Sequence, residues 1–309
     1  MKAITVIQEG AAPALQDIKE PREPGAGEVF VRVQASSVNG LDAGIAAGRL
    51  AEMLTHEYPV TLGRDFAGIV EQIGEGVSSV AVGDEVFGMV PGMVPPVRDG
   101  AWTELIVTSE ETHAKKPDEV DTATAGAVAL AGFTALPIID ALELSAGQTL
   151  LIVGATGGVG SLVVQLAKAA GSIVLASGRP EDEEFLRGLG VDEVFPREGD
   201  LVAAVRERYP DGVDALVDVV TPMQPTPYDG VLRDGGRVAS STNAAGEGPG
   251  RSNVVHAPSR EALDRIAGLL VDGTLRVPIQ QTFELERAPE AMQTWAGGHT
   301  QGKIALRAA

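Results

Sequence analysis

The chain has 309 residues, 43 acidic side chains against 24 Lys and Arg, a net charge of -19 and no cysteine. That length accommodates two hydrophobic cores. The acidic balance argues against non-specific nucleic-acid or anionic-membrane binding, and without thiols there are no disulfides, thiolate nucleophiles or Cys-ligated zinc. Met1 to Val6 has no apolar signal region, and no segment reads as the uninterrupted apolar run of a membrane span, so a soluble cytoplasmic protein is expected.

From Met1 to about Asp121, short β-type runs alternate with Gly and Pro: Glu28–Val33, Ala67–Ile73, Asp84–Val90 and Thr103–Val107. They predict a twisted, mostly antiparallel β-barrel domain. From Thr122 to Pro258 strand and helix patterns alternate. The pivotal segment is Thr149-Leu-Leu-Ile-Val-Gly-Ala-Thr-Gly-Gly-Val-Gly-Ser161, a buried strand that breaks into glycines and resumes as a helix. Val159, Leu162, Val163, Leu166, Ala167 and Ala170 follow at helical spacing, and Gly171 ends the run. Ser172–Ser177 is the next strand, followed by Val191–Phe195, Ala215–Val220, Gly236–Ser240 and Asn253–His256. With right-handed crossovers these make six parallel strands. The remaining chain, 259–309, returns to the barrel with a helix from Ser259 to about Val271, a strand near Val277 and a last strand at Lys303–Arg307. The fold class is therefore α/β, a doubly wound sheet of Rossmann type (122–258) beside a β-barrel domain (1–121 with 259–309).

The glycine turn carries the chemistry. Ala155, Thr156, Gly157, Gly158, Val159 and Gly160 read as A-x-G-x-x-G between a strand and a helix, where glycine allows a tight turn, close approach to a pyrophosphate and helix–strand packing. The free N–H groups and positive end of the helix face the phosphates. At the end of the second strand an NAD site usually has an acid for the ribose hydroxyls. Here stand Ser177, Gly178 and Arg179, so a 2′-phosphate meets a hydroxyl and a guanidinium, and NADPH is the expected cofactor. The alternative for Arg179 is a surface salt bridge with one of the acids at 181–184.

Ligands of open α/β sheets lie beyond the carboxyl ends of the strands, where Thr221, Ser241, Thr242, Val255 and His256 stand. His256 is either a proton donor or a satisfied rim residue. His56, His113 and His299 show no partner pattern and are expected on the surface. The loop Ala244–Arg251 is either a mobile lid or a surface connection.

Several segments resemble the zinc-free quinone oxidoreductase branch of the medium-chain dehydrogenase/reductase superfamily. They are Ser37-Val-Asn-Gly-Leu-Asp42, Leu62-Gly-Arg-Asp-Phe-Ala-Gly-Ile-Val70, Val82-Gly-Asp-Glu-Val86, Gly100-Ala-Trp-Thr-Glu104, the glycine turn and Gly302-Lys-Ile-Ala-Leu306. The resemblance implies a GroES-like barrel domain and a nicotinamide in the cleft between domains. In zinc-dependent relatives the metal is held by a Cys near Asn39, a His at Arg64 and a Cys just before Gly132. Asn and Arg are poor zinc ligands, so no zinc site is expected. Hydride transfer then requires an acceptor that stabilises its own negative charge, such as a quinone or an α,β-unsaturated carbonyl.

Within that frame Asn39 is the first candidate for a polar group at the acceptor, its alternative being the cap of a helix starting near Leu41. Arg64 either lines the same cleft or pairs with Asp65, while Asp65 and Asp42 are expected to be structural. The resemblance gives Thr134 a place against the nicotinamide, at the amino end of the helix following Gly132. Pro196 replaces an aromatic residue common in relatives, and Arg197 compensates at the adenosine phosphate. The missing Tyr after Gly48 weakens the specific likeness to quinone reductases. The resemblance also implies a homodimer paired through the last sheet strand, Asn253–His256. Two other readings stay open: an enoyl-thioester reductase, and an NADPH-binding sensor without turnover.

Overall fold

The computed structural model describes residues 1–50, 55–91 and 96–308. Its amino-terminal part comprises β1 (Lys2–Val6), β2 (Ala14–Asp17), β3 (Glu28–Ser37), α1 (Gly40–Ala46), β4 (Val60–Thr61), β5 (Asp65–Ile73), β6 (Glu85–Met89), β7 (Leu105–Ser109) and β8 (His113–Lys115). The helix α2 (Thr122–Leu142) leads into β9 (Thr149–Val153), α3 (Gly158–Ala169), β10 (Ile173–Gly178), α4 (Glu183–Leu189), β11 (Glu193–Pro196), α5 (Leu201–Arg208), β12 (Val213–Asp218), β13 (Leu232–Ser240) and β14 (Arg251–Asn253). The return adds α6 (Arg260–Val271), β15 (Ile279–Glu284), α7 (Ala288–Ala296) and β16 (Lys303–Arg307).

The strands β11-β10-β9-β12-β13-β14 form a six-stranded parallel sheet. The chain winds outward from β9 to β11, then crosses back to β12 and winds the other way, so the strand order reverses between β9 and β12. Such a reversal opens a crevice at the carboxyl ends of the two strands. A second sheet has the order β15-β16-β3-β5-β6-β8 with β7 paired to β3, antiparallel except for β15–β16, and β2-β1-β4 form a third. Because β16 pairs with β3 at Ala305↔Ser37, the end of the chain becomes part of the amino-terminal sheet.

Helix α2 joins the two halves. Its buried residues share one core with the parallel sheet and with Ala35, Ala67, Phe87 and Met89 of the mostly antiparallel sheet. Packed on both sides, it is apolar all round, which corrects the expectation that no segment reaches span length: α2 is long and apolar enough, yet 78% of its apolar window is buried within the protein. The sequence also misplaced some boundaries. The last sheet strand is Arg251–Asn253, so Val255 and His256 lie beyond its end. The return strand runs Ile279–Glu284, after Val277. Helix α7 had no sequence expectation.

His113 is not a surface residue. It is fully buried, Nδ1 lies 2.9 Å from the Ser109 carbonyl, and Nε2 has no partner among the described residues. Burial pushes its pKa down from 6.5 to about 4, against the opposing pull of the Ser109 carbonyl. Between those values the unfolded chain holds a proton on this imidazole that the folded one refuses, so the His113 contribution to stability rises with pH across that window. The expected gain is about 3 kcal/mol. Urea melts at a series of pH values check it as a difference: the stability of the wild type relative to a His113→Gln variant should rise with pH across that window, because the Asp42 carboxyl, raised to about 6, works in the opposite direction in both proteins.

Candidate functional site

The strand β9 ends at Val153, and Gly154 turns the chain at φ +93°, where a Cβ would sit 2.6 Å from Val220 Cγ2. The Gly157 N–H donates to the Gly154 carbonyl at 3.1 Å and closes the turn. Gly157 is the N-cap of α3, and no side chain caps it. The first N–H groups of α3 therefore remain for a ligand. A Cβ on Gly160 would lie 2.1 Å from the Gly154 oxygen, so only glycine lets the helix start this close to its strand. Ala155 to Gly160 thus form one uncapped cradle at the strand reversal, which fits a dinucleotide pyrophosphate.

The end of β10 brings together the second group of sequence candidates. Ser177 and Gly178 pair with Phe195 and Pro196, and the Arg197 N–H donates to the Gly178 carbonyl at 2.8 Å, setting Arg197 beside them. The Arg179 guanidinium stands 3.9 Å from Glu181, both being solvent-accessible, so this ion pair is weak. Asp182 is turned inward and accepts the Arg179 N–H at 3.0 Å.

Across the crevice, Asp218 organises the loop after β12. One oxygen accepts the N–H groups of Val220 and Thr221, each at 2.9 Å, and the other accepts the Thr226 hydroxyl at 2.6 Å. Thr242 Oγ1 donates to the Thr221 carbonyl at 2.6 Å, locking that loop to the end of β13 beside Ser241. Val220, Met223 and Val255, all past the carboxyl ends of strands, are exposed apolar side chains, Met223 and Val255 about two-thirds exposed. The 244–251 loop is pinned at both ends: Ala244 and Ala245 are buried, the Ala245 N–H reaches Asn253 Oδ1 at 2.9 Å, and Arg251 pairs with Asp229 at 2.8 Å.

Asn39 initiates α1, but its side chain does not cap it. The Asn39 N–H donates to Asp42 at 2.9 Å, while Nδ2 donates to Asp65 Oδ2 at 2.9 Å and Oδ1 accepts from Lys303 Nζ. Asp65 also accepts the Ser37 hydroxyl at 2.6 Å and lies 3.3 Å from Lys303 Nζ, and its second oxygen accepts the Leu130 N–H at 2.6 Å. Lys303 is 4% exposed and Asp65 is 0% exposed. The Lys303 stem passes Gly158, where a Cβ would come within 2.5 Å of Lys303 Cδ. The ammonium, the amide and the carboxylate therefore meet next to the glycine cradle. His256 is half-buried: burial holds its pKa below the ordinary imidazole range, the Asp65 charge pulls it up and Arg64 pulls it down.

Two sequence assignments need correction. Arg64 is fully buried, and its NH1 and NH2 donate to the carbonyls of Pro91, Thr61 and Asp99, with Asp42 at 3.7 Å from Nε. It pairs with Asp42 rather than Asp65, and it fastens the barrel interior instead of presenting a group to a ligand. Burial, only partly offset by Arg64, pushes the Asp42 carboxyl up to about 6. Thr134 sits inside α2, not at a helix start, and its hydroxyl donates to the Leu130 carbonyl at 2.8 Å. The Ala-rich sequence carries the helix through Gly132 without a break. Thr134 still lies near the cluster, one turn or about 6 Å along the helix from the Leu130 amide that Asp65 binds.

Comparison with known proteins agrees with this architecture. Residues 25–118 match the alcohol dehydrogenase GroES-like domain, and residues 189–306 match the zinc-binding dehydrogenase family. A chloroplast envelope quinone oxidoreductase homolog from Arabidopsis thaliana is 29% identical over 96% of this chain and 94% of its own length. The solved quinone oxidoreductase from Coxiella burnetii superposes with a TM-score of 0.86 at 25% identity, covering 99% of both chains. The chain belongs to the medium-chain dehydrogenase/reductase superfamily. Another relative, a mycocerosic acid synthase-like polyketide synthase from Mycobacterium tuberculosis, is 32% identical over 92% of this chain, which spans 14% of that protein.

Medium-chain oxidoreductases bind a nicotinamide cofactor, and in this chain the glycine cradle is the place that fits one. Among the described residues, no group of three or more His, Cys, Asp or Glu could hold a metal. Lys303 is the polar residue that sequence reasoning missed, having been read only as part of the closing strand. One signal was available: a Lys standing directly before the apolar run Ile304-Ala-Leu306, a strand whose first four residues prove to be buried.

Proposed function

We propose that this medium-chain oxidoreductase is a zinc-independent, NADPH-dependent reductase of quinones or α,β-unsaturated carbonyls. The observation that carries the reading is the buried Lys303 ammonium, held by Asn39 and Asp65 beside the cradle. When bound, a reduced nicotinamide supplies the hydride. As charge develops on the acceptor oxygen, the Lys303 ammonium, oriented by Asn39, is the donor that stabilises it. Asp65 positions both, and Thr134 borders the nicotinamide. Ser177, Arg179 and Arg197 receive the 2′-phosphate. The exposed apolar side chains of Val220, Met223 and Val255 past the strand ends favour an apolar acceptor. Val255 also stands just beyond β14, the edge strand of the parallel sheet, where a second copy would pair in a dimer.

The synthase relative favours a second reading, reduction of an enoyl thioester, which asks the same of these residues. Mixing the protein with NADPH and a panel of quinones, enones and enoyl thioesters, and following absorbance at 340 nm as a readout of cofactor oxidation, tests both. Consumption with quinones or enones alone is the expected result. Consumption confined to thioesters selects the second reading. Tight binding with no consumption overturns both in favour of a cofactor sensor.

A further inference from the structure

The pyrophosphate and the 2′-phosphate of one dinucleotide lie at a separation set by its covalent frame. A protein that grips both must therefore hold its glycine turn and its β10 turn at a matching distance. Those turns end different strands, and one short stretch of the return chain touches both. The Gly302 N–H donates to the Thr156 carbonyl at 2.6 Å, inside the glycine turn. One residue earlier, Gln301 Nε2 donates to Asp182 Oδ1 at 3.0 Å and to the Glu181 carbonyl at 3.4 Å. His299 Nε2 lies 3.3 Å from the same Asp182 oxygen. The other Asp182 oxygen holds the Arg179 N–H at 3.0 Å, and Asp182 is only 2% exposed. Gln301 is itself anchored, its N–H donating to Gln280 Oε1 at 2.9 Å on β15.

We infer that segment 299–302 is a specificity strap, in which Gln301 and His299 act through Asp182 to set Arg179 and Ser177 where a 2′-phosphate meets them. They are positioning residues for the choice of NADPH over NADH, and the inference rests on the NADPH reading above. Two effects combine. The strap fixes the turn that carries Arg179 relative to the phosphate cradle. Its donors also screen the Asp182 carboxylate, a buried negative charge three residues from Arg179 that would oppose a phosphate dianion. NADH, which lacks that phosphate, is indifferent to both.

Equilibrium binding of NADPH and NADH to the wild-type chain and to a Gln301→Ala/His299→Ala variant, with thermal melts alongside, tests the strap. The expected result is NADPH binding weakened about tenfold, with NADH within about twofold of wild type. If the wild type binds both cofactors equally, the NADPH reading itself fails. If the wild type prefers NADPH and the variant keeps that preference, or loses both cofactors equally, the strap alone is overturned. Should the double variant melt below the assay temperature, Gln301→Asn replaces it, shortening the side chain without removing its polarity. That variant must shift the NADPH-to-NADH ratio in the same direction, and an unchanged ratio overturns the strap.

Discussion

Replacing Lys303 with Met is expected to lower kcat by about 10²- to 10³-fold, the cost of removing a preorganised donor from a developing oxyanion. The substitution also leaves Asp65 charged and fully buried, with Ser37, Asn39 and the Leu130 amide as its remaining partners. Breaking such a buried pair costs about 3–5 kcal/mol of stability. A fall in activity could therefore come from either cause, and the double variant Lys303→Met/Asp65→Asn separates them. It removes the uncompensated charge and should recover much of the Tm while kcat stays low. Recovery of kcat together with Tm would make Lys303 a structural counter-ion and remove it from the chemistry. Steady-state kinetics with the preferred acceptor, split into kcat and KM, is the measurement.

Replacing Arg179 with Ala is expected to weaken NADPH about 10- to 100-fold and to leave NADH within about twofold. Its pairing with Glu181 at 3.9 Å is solvent-accessible on both sides, so losing that contact costs little stability. Dissociation constants at fixed ionic strength decide the matter, because an exposed phosphate contact is screened by salt. Equal weakening of both cofactors would withdraw the 2′-phosphate assignment. Combined with the Gln301→Ala/His299→Ala change, the losses should fall short of additive, since all three residues serve one turn.

The parts of this protein that were legible from sequence are local ones. The glycine turn is a run of consecutive residues whose backbone demands are met by glycine alone, and the Gly160 contact with the Gly154 oxygen shows the constraint directly. Strand and helix alternation along 149–240 reflects periodicity within each segment, and the observed elements follow it. The position of Ser177 and Arg179 at the end of β10 followed from their distance past the glycines, which the length of one crossover helix dictates. Boundaries such as that of β14 were harder, because the valines make Asn253-Val-Val-His256 more β-prone than Arg251–Asn253, the segment that actually pairs.

What sequence could not supply was convergence. Lys303 reaches Asn39 and Asp65 across 264 and 238 residues of chain, and no pattern within either segment announces the other. His113 looked like a surface residue because burial belongs to the packing around it. Arg64 looked available to a ligand until the carbonyls of Thr61, Pro91 and Asp99 closed on it. The sequence alone determined the fold class and the uncapped glycine turn between β9 and α3, since backbone sterics and hydrophobic period act over a few neighbouring residues. The tertiary structure decided which polar groups face that cradle and which are sealed in a core, since burial and ion pairing depend on distant segments meeting.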